Sequence, residues 1–169
     1  MKPQDSIRGV LVRDLRALQR ELEAYGEETA IWEVPAGIPN SAGNLALHLT
    51  GNLQSFVGAI LGGTDYVRDR PAEFSLRDVP RAAMILEIQR TVGVIDDTLS
   101  DLPDGKLSQP FPLDFGGIRV STLDFLIHLS THLAFHVGQI DYHRRLVTGE
   151  QESVGPIAIP ELASVQAAD

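Results

Sequence analysis

The sequence contains no cysteine, and this absence excludes several kinds of site. Disulfides, zinc–thiolate sites and a cysteine nucleophile cannot form within these residues, so a sulfur nucleophile must arrive as a separate molecule. Positive charge is also scarce, because 14 Lys and Arg stand against 23 Asp and Glu, which gives a net charge of −9. A surface of this sign repels phosphate backbones, so we expect no nucleic-acid partner.

Long hydrophobic runs are missing as well. No segment approaches the roughly 18 apolar residues that a membrane helix needs, and no early apolar run resembles a signal peptide. We therefore expect no membrane association, and we expect the cytoplasm as the compartment. A chain of 169 residues with 43% hydrophobic content is ordinary for one globular domain. We expect a single domain over residues 1–169, with residues 150–169 as a peripheral, irregular tail.

Apolar residues recur at spacings of three and four in four segments, which predicts four amphipathic helices. We place them at residues 5–28, 42–61, 81–102 and 122–147. Ser41 and Ser121 are expected to cap the second and fourth helices, and Gly149 to end the fourth. The connections at 32–40, 64–79 and 106–119 are rich in Pro, Gly or polar residues and are expected to be irregular. Four such helices, long crossovers and no convincing strand predict an all-α four-helix bundle.

The histidines are the most informative residues. Four of the five lie between Asp124 and Arg145, and His128, His132 and His136 recur at i, i+4 and i+8. Residues at that spacing share one face of a helix, and an i, i+4 pair of imidazoles can bind one metal ion. The fifth, His48, lies in the second predicted helix. If the two helices face each other, His48, His132 and His136 form a metal site with an open coordination position, as in catalytic zinc sites.

Other interpretations of these residues remain open. The histidine row can also be a surface ridge or a hydrogen-bonded core network, and His48 can be a core residue bonded to a backbone carbonyl or to Asn52. For His128 we expect a role beside the metal ligands or in packing. His143 is expected near the helix dipole or in solvent.

Three polar residues near the expected ligands complete the predicted pocket. Gln139 follows His136 by three residues, and Asn52 and Asn44 lie one turn either side of His48. Each can face the pocket or orient an imidazole.

The segments ALHLTGNLQ and HLSTHLAFHVGQIDYHRRL resemble the DinB superfamily of four-helix-bundle metalloproteins over nearly the full chain. The resemblance places the family's metal triad on His48, His132 and His136, and the Gly-Gln-Ile that follows the pair also matches. It implies a divalent metal, zinc or nickel, and a thiol-dependent transferase that uses a low-molecular-weight thiol. The chain departs from the pattern at Leu133 and Val137, where many members carry Glu and Arg.

Two classes of function follow. The first is a metal-dependent thiol S-transferase or hydrolase that activates a small thiol or water and acts on a small-molecule substrate. The second is a non-catalytic, stress-associated metal-binding protein on the same scaffold. A general base near the open position would favour the enzyme, and Asp141 and Glu87 are the helix-borne carboxylates to test. We also expect a homodimer packed through helix faces, because the first and third helices carry long apolar rows.

Overall fold

The computed structural model describes residues 2–162 and 164–167, and these residues form an all-helical bundle. Five α-helices follow in chain order: α1 (Pro3–Glu23), α2 (Ala42–Leu53), α3 (Arg70–Ser75), α4 (Arg81–Ser100) and α5 (Thr122–Thr148). A π-helical segment, Gln54–Leu61, continues α2 without interruption. Within the described residues no strand forms, and the single β-bridge joins Pro110 to Ser121. The predicted all-α bundle is confirmed.

The four long helices build the core between them. α1 and α2 lie on opposite sides of the bundle, and each packs against both α4 and α5. This arrangement brings the face of α2 that carries His48 against α5. The apolar rows of α1 and α4 point inward, and their central members are buried: Leu11, Leu15, Leu18, Leu22, Ile88, Ile95 and Leu99. These rows therefore supply the core of the bundle, and the homodimer that the sequence predicts stays a prediction.

The predicted helix caps are confirmed. The Ser41 side chain accepts a hydrogen bond from the Asn44 backbone N–H, and the Ser121 side chain accepts one from that of Asp124. Gly149 ends α5 with a left-handed backbone (φ 75°), a conformation that costs glycine little.

Two predicted boundaries are wrong. The first helix was expected to reach residue 28 but ends at Glu23, because Gly26 favours termination and the chain turns into the 3₁₀ segment Glu28–Trp32. The connection at 64–79 was expected to be irregular but contains α3. Asp69 caps that helix by accepting from the Ala72 N–H, and Pro71 lies in its first turn.

Glycine allows α2 and its continuation to approach α4 closely. A Cβ placed on Gly58 would lie 2.8 Å from Cγ1 of Val94, which is closer than two carbons can pack. The π-helical turns lie at this contact. The second helix therefore has the predicted extent, but its last turns are wider than those of an α-helix.

The crossover before α5 and the tail are irregular, as expected. Residues 110–121 fold back on themselves and are held by two backbone hydrogen bonds. The Phe111 N–H donates to the Val120 carbonyl, and the Phe115 N–H donates to the Ile118 carbonyl. The tail crosses α1, where Arg20 donates to the backbone carbonyls of Val154 and Gly155. Positions 163, 168 and 169 of the predicted tail lie outside the described residues. Within the described part, no helix has the length and apolar character that crossing a membrane requires.

Candidate metal centre

Three imidazoles from two helices meet at one point. The Nε2 atom of His132 lies 3.3 Å from Nε2 of His48, which comes from α2, and 3.1 Å from Nε2 of His136, one turn along α5. One nitrogen from each ring falls within 4.8 Å of the other two. The structure thus brings together the three residues that the sequence singled out as metal ligands.

The donor set fits a divalent metal ion. Zinc–imidazole bonds of about 2.1 Å separate neighbouring ligand nitrogens by about 3.4 Å in tetrahedral geometry and about 3.0 Å in octahedral geometry. The observed separations of 3.1 and 3.3 Å fall between these values. Where lone pairs of neighbouring imidazoles are directed at one point, they repel one another unless a cation or a proton lies between them. Three imidazoles and no thiolate suit zinc, nickel and similar ions.

His48 is held in the orientation that a metal ligand needs. Its Nδ1 lies 2.9 Å from Oε2 of Glu73, and both side chains are more than nine-tenths buried. A carboxylate can only accept, so Nδ1 carries the proton and Nε2 presents its lone pair to the other two rings. Arg68 completes the arrangement by donating to both oxygens of Glu73, at 2.6 and 2.9 Å.

His136 has a partner of the same kind. Its Nδ1 lies 2.6 Å from the side-chain oxygen Oε1 of Gln139, one turn further along α5. An amide oxygen accepts, so this ring also carries its proton on Nδ1 and turns Nε2 inward. The predicted pocket residue Gln139 therefore orients a candidate ligand directly.

Burial keeps the central imidazole neutral. Burial first, and then charge repulsion from the neighbouring rings of His136 and His48, together lower the pKa of His132 to about 4. Burial likewise lowers the pKa of His48, against the opposing effect of Glu73. A neutral imidazole is the form that binds metal, so these two rings are ready to do so at neutral pH.

Two residues of α2 position helix α3, because Gly51 leaves space for the Glu73 side chain and Asn44 forms hydrogen bonds with the backbone of α3 and the residue after it. A Cβ on Gly51 would collide with Oε1 of Glu73, so only glycine admits the carboxylate here. The side-chain amide of Asn44 donates to the backbone carbonyls of Glu73 and Leu76, at 2.9 and 3.1 Å. Asn44 was expected to line the pocket or touch an imidazole. It instead anchors the helix that carries the partner of His48.

His128 and Asn52 lie beside the triad without joining it. The His128 ring is exposed and stacks between Phe125 and His132, with centroids 5.9 and 6.1 Å away. Asn52 is 8% exposed, and its Oδ1 has no hydrogen-bond partner within residues 2–162 and 164–167. Both residues line a cleft next to His132, which agrees with the expected pocket role.

His143 does not have the predicted position near solvent. It is 3% exposed, its Nε2 lies 2.8 Å from the Glu33 carbonyl and its Nδ1 lies 2.6 Å from the Tyr25 hydroxyl. A carbonyl only accepts, so Nε2–H donates to it and Nδ1 accepts from Tyr25. His143 therefore ties α5 to the segment that follows α1, which contains both Tyr25 and Glu33.

The two helix-borne carboxylates considered as general bases are engaged elsewhere. Asp141 accepts from Arg144 and Arg145 at 3.2 and 2.9 Å. Glu87 accepts from Gln54 and Arg90. Neither contacts a triad histidine.

A cleft opens on each side of the triad along α5. The first, here called the His132 cleft, has a volume of about 440 Å³ and is lined by His132, His128, Asn52, Phe56, Phe115 and Phe125, with further apolar residues. The second, the His136 cleft, has a volume of about 450 Å³, and its lining includes His136, Gln139, Ile38, Leu45, Tyr142 and Leu146. Both volumes are typical of small-molecule sites.

Sequence reasoning missed Glu73 and Arg68, because both fall in a segment expected to be irregular. The available signal was Asp69 followed by Pro71, an N-cap and first-turn pair that predicts a short helix. Even with that helix in place, only the tertiary structure brings Glu73 to His48, which is 25 residues away in the chain.

The comparisons agree with this geometry. The family model of the DinB superfamily matches residues 11–140, a span that contains all three triad histidines. The chain belongs to the DinB superfamily. A comparison with curated proteins and one with solved structures each find no match. The two positions at which this chain departs from the superfamily pattern, Leu133 and Val137, are 0% and 3% exposed and pack in the core.

Proposed function

We propose that this DinB-superfamily chain is a divalent-metal-dependent enzyme that activates a small thiol or a water molecule for transfer to, or hydrolysis of, a small-molecule substrate. The proposal rests on the convergence of three histidine Nε2 atoms. The Nε2 atom of His132 lies 3.3 Å from that of His48 and 3.1 Å from that of His136. The Nδ1 atoms of His48 and His136 are hydrogen-bonded, to Glu73 and Gln139 respectively. Three protein ligands leave a coordination position for a reactant.

The residues of the chain and the metal have separate tasks. A bound zinc or nickel ion supplies Lewis acidity, which lowers the pKa of a thiol or water so that a nucleophile forms at neutral pH. Glu73 and Gln139 keep two imidazoles in the tautomer and orientation that such an ion needs. The thiol must be a separate low-molecular-weight cosubstrate, because the chain has no cysteine.

His128 supports the proposal that the protein is an enzyme. It is exposed, lines the His132 cleft and stacks on His132, so its free ring nitrogens can exchange a proton with a molecule in that cleft. Histidine is the side chain most often used for this purpose near neutral pH.

A non-catalytic metal-binding function is the second candidate, and a specific observation favours it. Leu133 and Val137 fill the positions where many superfamily members carry Glu and Arg, and both are buried. The one carboxylate in contact with the triad, Glu73, is already bonded to His48 and Arg68. Within the described residues the triad therefore lacks a free carboxylate to act as a base.

Metal analysis and thiol binding distinguish the two candidates. We expect elemental analysis of the purified protein to find about one zinc or nickel ion per chain, and His132→Ala to abolish binding while His128→Ala retains it. A cobalt-substituted sample should then develop a thiolate-to-cobalt charge-transfer band when a small thiol is added. Metal bound at the triad without any change on addition of thiol or substrate would favour the non-catalytic function. An absence of metal binding would reject both.

A further inference from the structure

We infer that the His132 cleft, and not the His136 cleft, binds the organic part of the substrate. We further infer that this substrate is a small neutral or cationic molecule with an aromatic or branched aliphatic body. The inference rests on the proposed function in that it places the substrate beside the candidate metal centre. The cleft itself is defined by residues that take no part in metal binding.

The wall of the cleft is aromatic. Phe56, Phe115 and Phe125 line it, and their ring centroids lie 5.0 to 6.4 Å apart. Phe111 packs behind them, 4.2 Å from Phe125, so four of the six phenylalanines of the chain form one cluster. Rings at these spacings and tilts present faces and edges that a flat or branched apolar group can pack against.

The lining of the cleft also includes a buried amide, the side chain of Asn52. Asn52 is more than nine-tenths buried, and its Oδ1 has no partner among the residues that the structure describes. Buried polar groups almost always find a partner, and a group that lacks one in the protein alone is a candidate for ligand binding. Because Asn52 carries both a donor and an acceptor, it can bond a hydroxyl, amide or amine next to His132.

The charges of the cleft select against an anion. Asp124 lines it, one turn of α5 before His128, and within the described part of the chain the lining contains no Lys or Arg. The nearby guanidinium of Arg68 lies 5.7 Å from the Phe56 ring centroid, but it is paired with Glu73. In the metal-free protein an anionic ligand would therefore meet the Asp124 carboxylate with no Lys or Arg of the lining to offset it, while a neutral or cationic one would not. A metal ion bound at the triad would add its own positive charge, so the comparison is made without it.

The His136 cleft lacks the corresponding unsatisfied groups. Its polar lining includes His136 and Gln139, which bond each other, and His143, both of whose ring nitrogens have partners. Asn40 and Tyr142 also line this cleft, but among the described residues no buried polar atom without a hydrogen-bond partner lies in its lining. The buried, unpaired amide oxygen of Asn52 thus favours the cleft on the other side of the triad.

Two probes that share a ring and differ in charge test the inference, benzylamine and benzoate. Binding is followed by NMR of side-chain methyl groups, in metal-free and zinc-loaded protein. We expect benzylamine to shift the methyl signals of Ile118 and Val120, which line the His132 cleft, and not those of Leu146, which lines the other. In the metal-free protein, benzoate should bind at least about tenfold more weakly, which corresponds to about 1.4 kcal/mol.

The variants Ile118→Ser and Leu146→Ser are a matched pair, because the two residues are 64% and 61% exposed and lie in different clefts. Ile118→Ser should weaken benzylamine binding about threefold and Phe115→Ser about tenfold, whereas Leu146→Ser should change it less than twofold. Shifts centred on Leu146, equal binding of benzoate by the metal-free protein, or unchanged binding in both Ile118→Ser and Phe115→Ser would overturn the inference. Failure of zinc to bind, with benzylamine binding intact, would instead reject the proposed function and leave this cleft assignment standing.

Discussion

Replacing Glu73 by glutamine tests the structure of the site most directly. In the native protein the two oxygens of Glu73 accept from His48 at 2.9 Å and from Arg68 at 2.6 and 2.9 Å. Glutamine has nearly the same shape but carries one acceptor oxygen and an NH₂ donor in place of two acceptors. Its one oxygen can take the place of Oε2, which accepts from His48 and Arg68 Nη2, or of Oε1, which accepts from Arg68 Nε, but not both. The substitution also places an NH₂ donor against a donor and removes the negative charge that neutralises Arg68.

The expected effect has two parts. Losing the group that orients a metal-binding histidine weakens metal binding by about 10- to 100-fold, or about 1.4 to 2.8 kcal/mol. Removing one partner of a buried ion pair costs about 3–5 kcal/mol of folding free energy. Since the Arg68 side chain is 15% exposed and can reach water, we expect the lower end, about 3 kcal/mol.

Metal affinity is measured by competition with a chromophoric chelator, and stability by urea unfolding of the metal-free protein. Glu87→Gln is the matched control, because Glu87 bonds Gln54 and Arg90 and does not contact the triad. We expect the control to keep metal affinity within about twofold of the parent. If Glu73→Gln loses stability but keeps the parent's metal affinity, the carboxylate has a purely structural role and the reasoning about His48 is wrong.

Four further results are expected. Gly51→Ala should weaken metal binding about tenfold in the same competition assay, because the new Cβ displaces the Glu73 carboxylate. Removing the metal should lower the melting temperature while circular dichroism still reports a helical protein, because the ligand stabilises only the folded state and the apolar core is independent of it. Arg144→Met should cost about 3 kcal/mol in urea unfolding, because it leaves the fully buried Glu21 without its 2.7 Å partner. Light scattering should report a dimer of the 18.4 kDa chain, and Phe135→Asp should dissociate it, because Phe135 is 63% exposed on the outer face of α5.

Each of these results has an outcome that contradicts it. Parent-like metal affinity in Gly51→Ala would show that Glu73 has room to move without disturbing His48. Loss of helicity on metal removal would make the metal structural. A stability change below about 1 kcal/mol in Arg144→Met would mean that the buried ion pair is no better than apolar packing. A monomer at micromolar concentration would reject the predicted homodimer.

The fold could be predicted from the sequence because local signals are strong and agree with one another. Apolar residues three and four apart define four helices, and Ser41, Ser121 and Gly149 mark helix ends through hydrogen bonds and a backbone conformation that are local in the chain. Helix α3 was missed because six residues are too few to show a periodic pattern. The spacing of His132 and His136 likewise fixed their common face before any tertiary contact was known.

The partners of these histidines could not be predicted, because each depends on how helices pack. His143 looked like a residue near the helix end, yet packing against the segment that follows α1 buries it and gives it the Tyr25 hydroxyl. Asn44 looked like a pocket residue, yet it binds the backbone of α3.

The sequence by itself determined the helices, the all-α class and the three histidines that can bind a metal, since periodicity and spacing are properties of the chain alone. The tertiary structure decided which polar group completes each site, because hydrogen bonds between distant residues form only after burial has chosen which side chains face each other. Glu73 meets His48 only because Gly51 leaves space and Asn44 holds α3 in place. The aromatic cleft beside His132 exists only because the crossover before α5 folds Phe111 and Phe115 against Phe125.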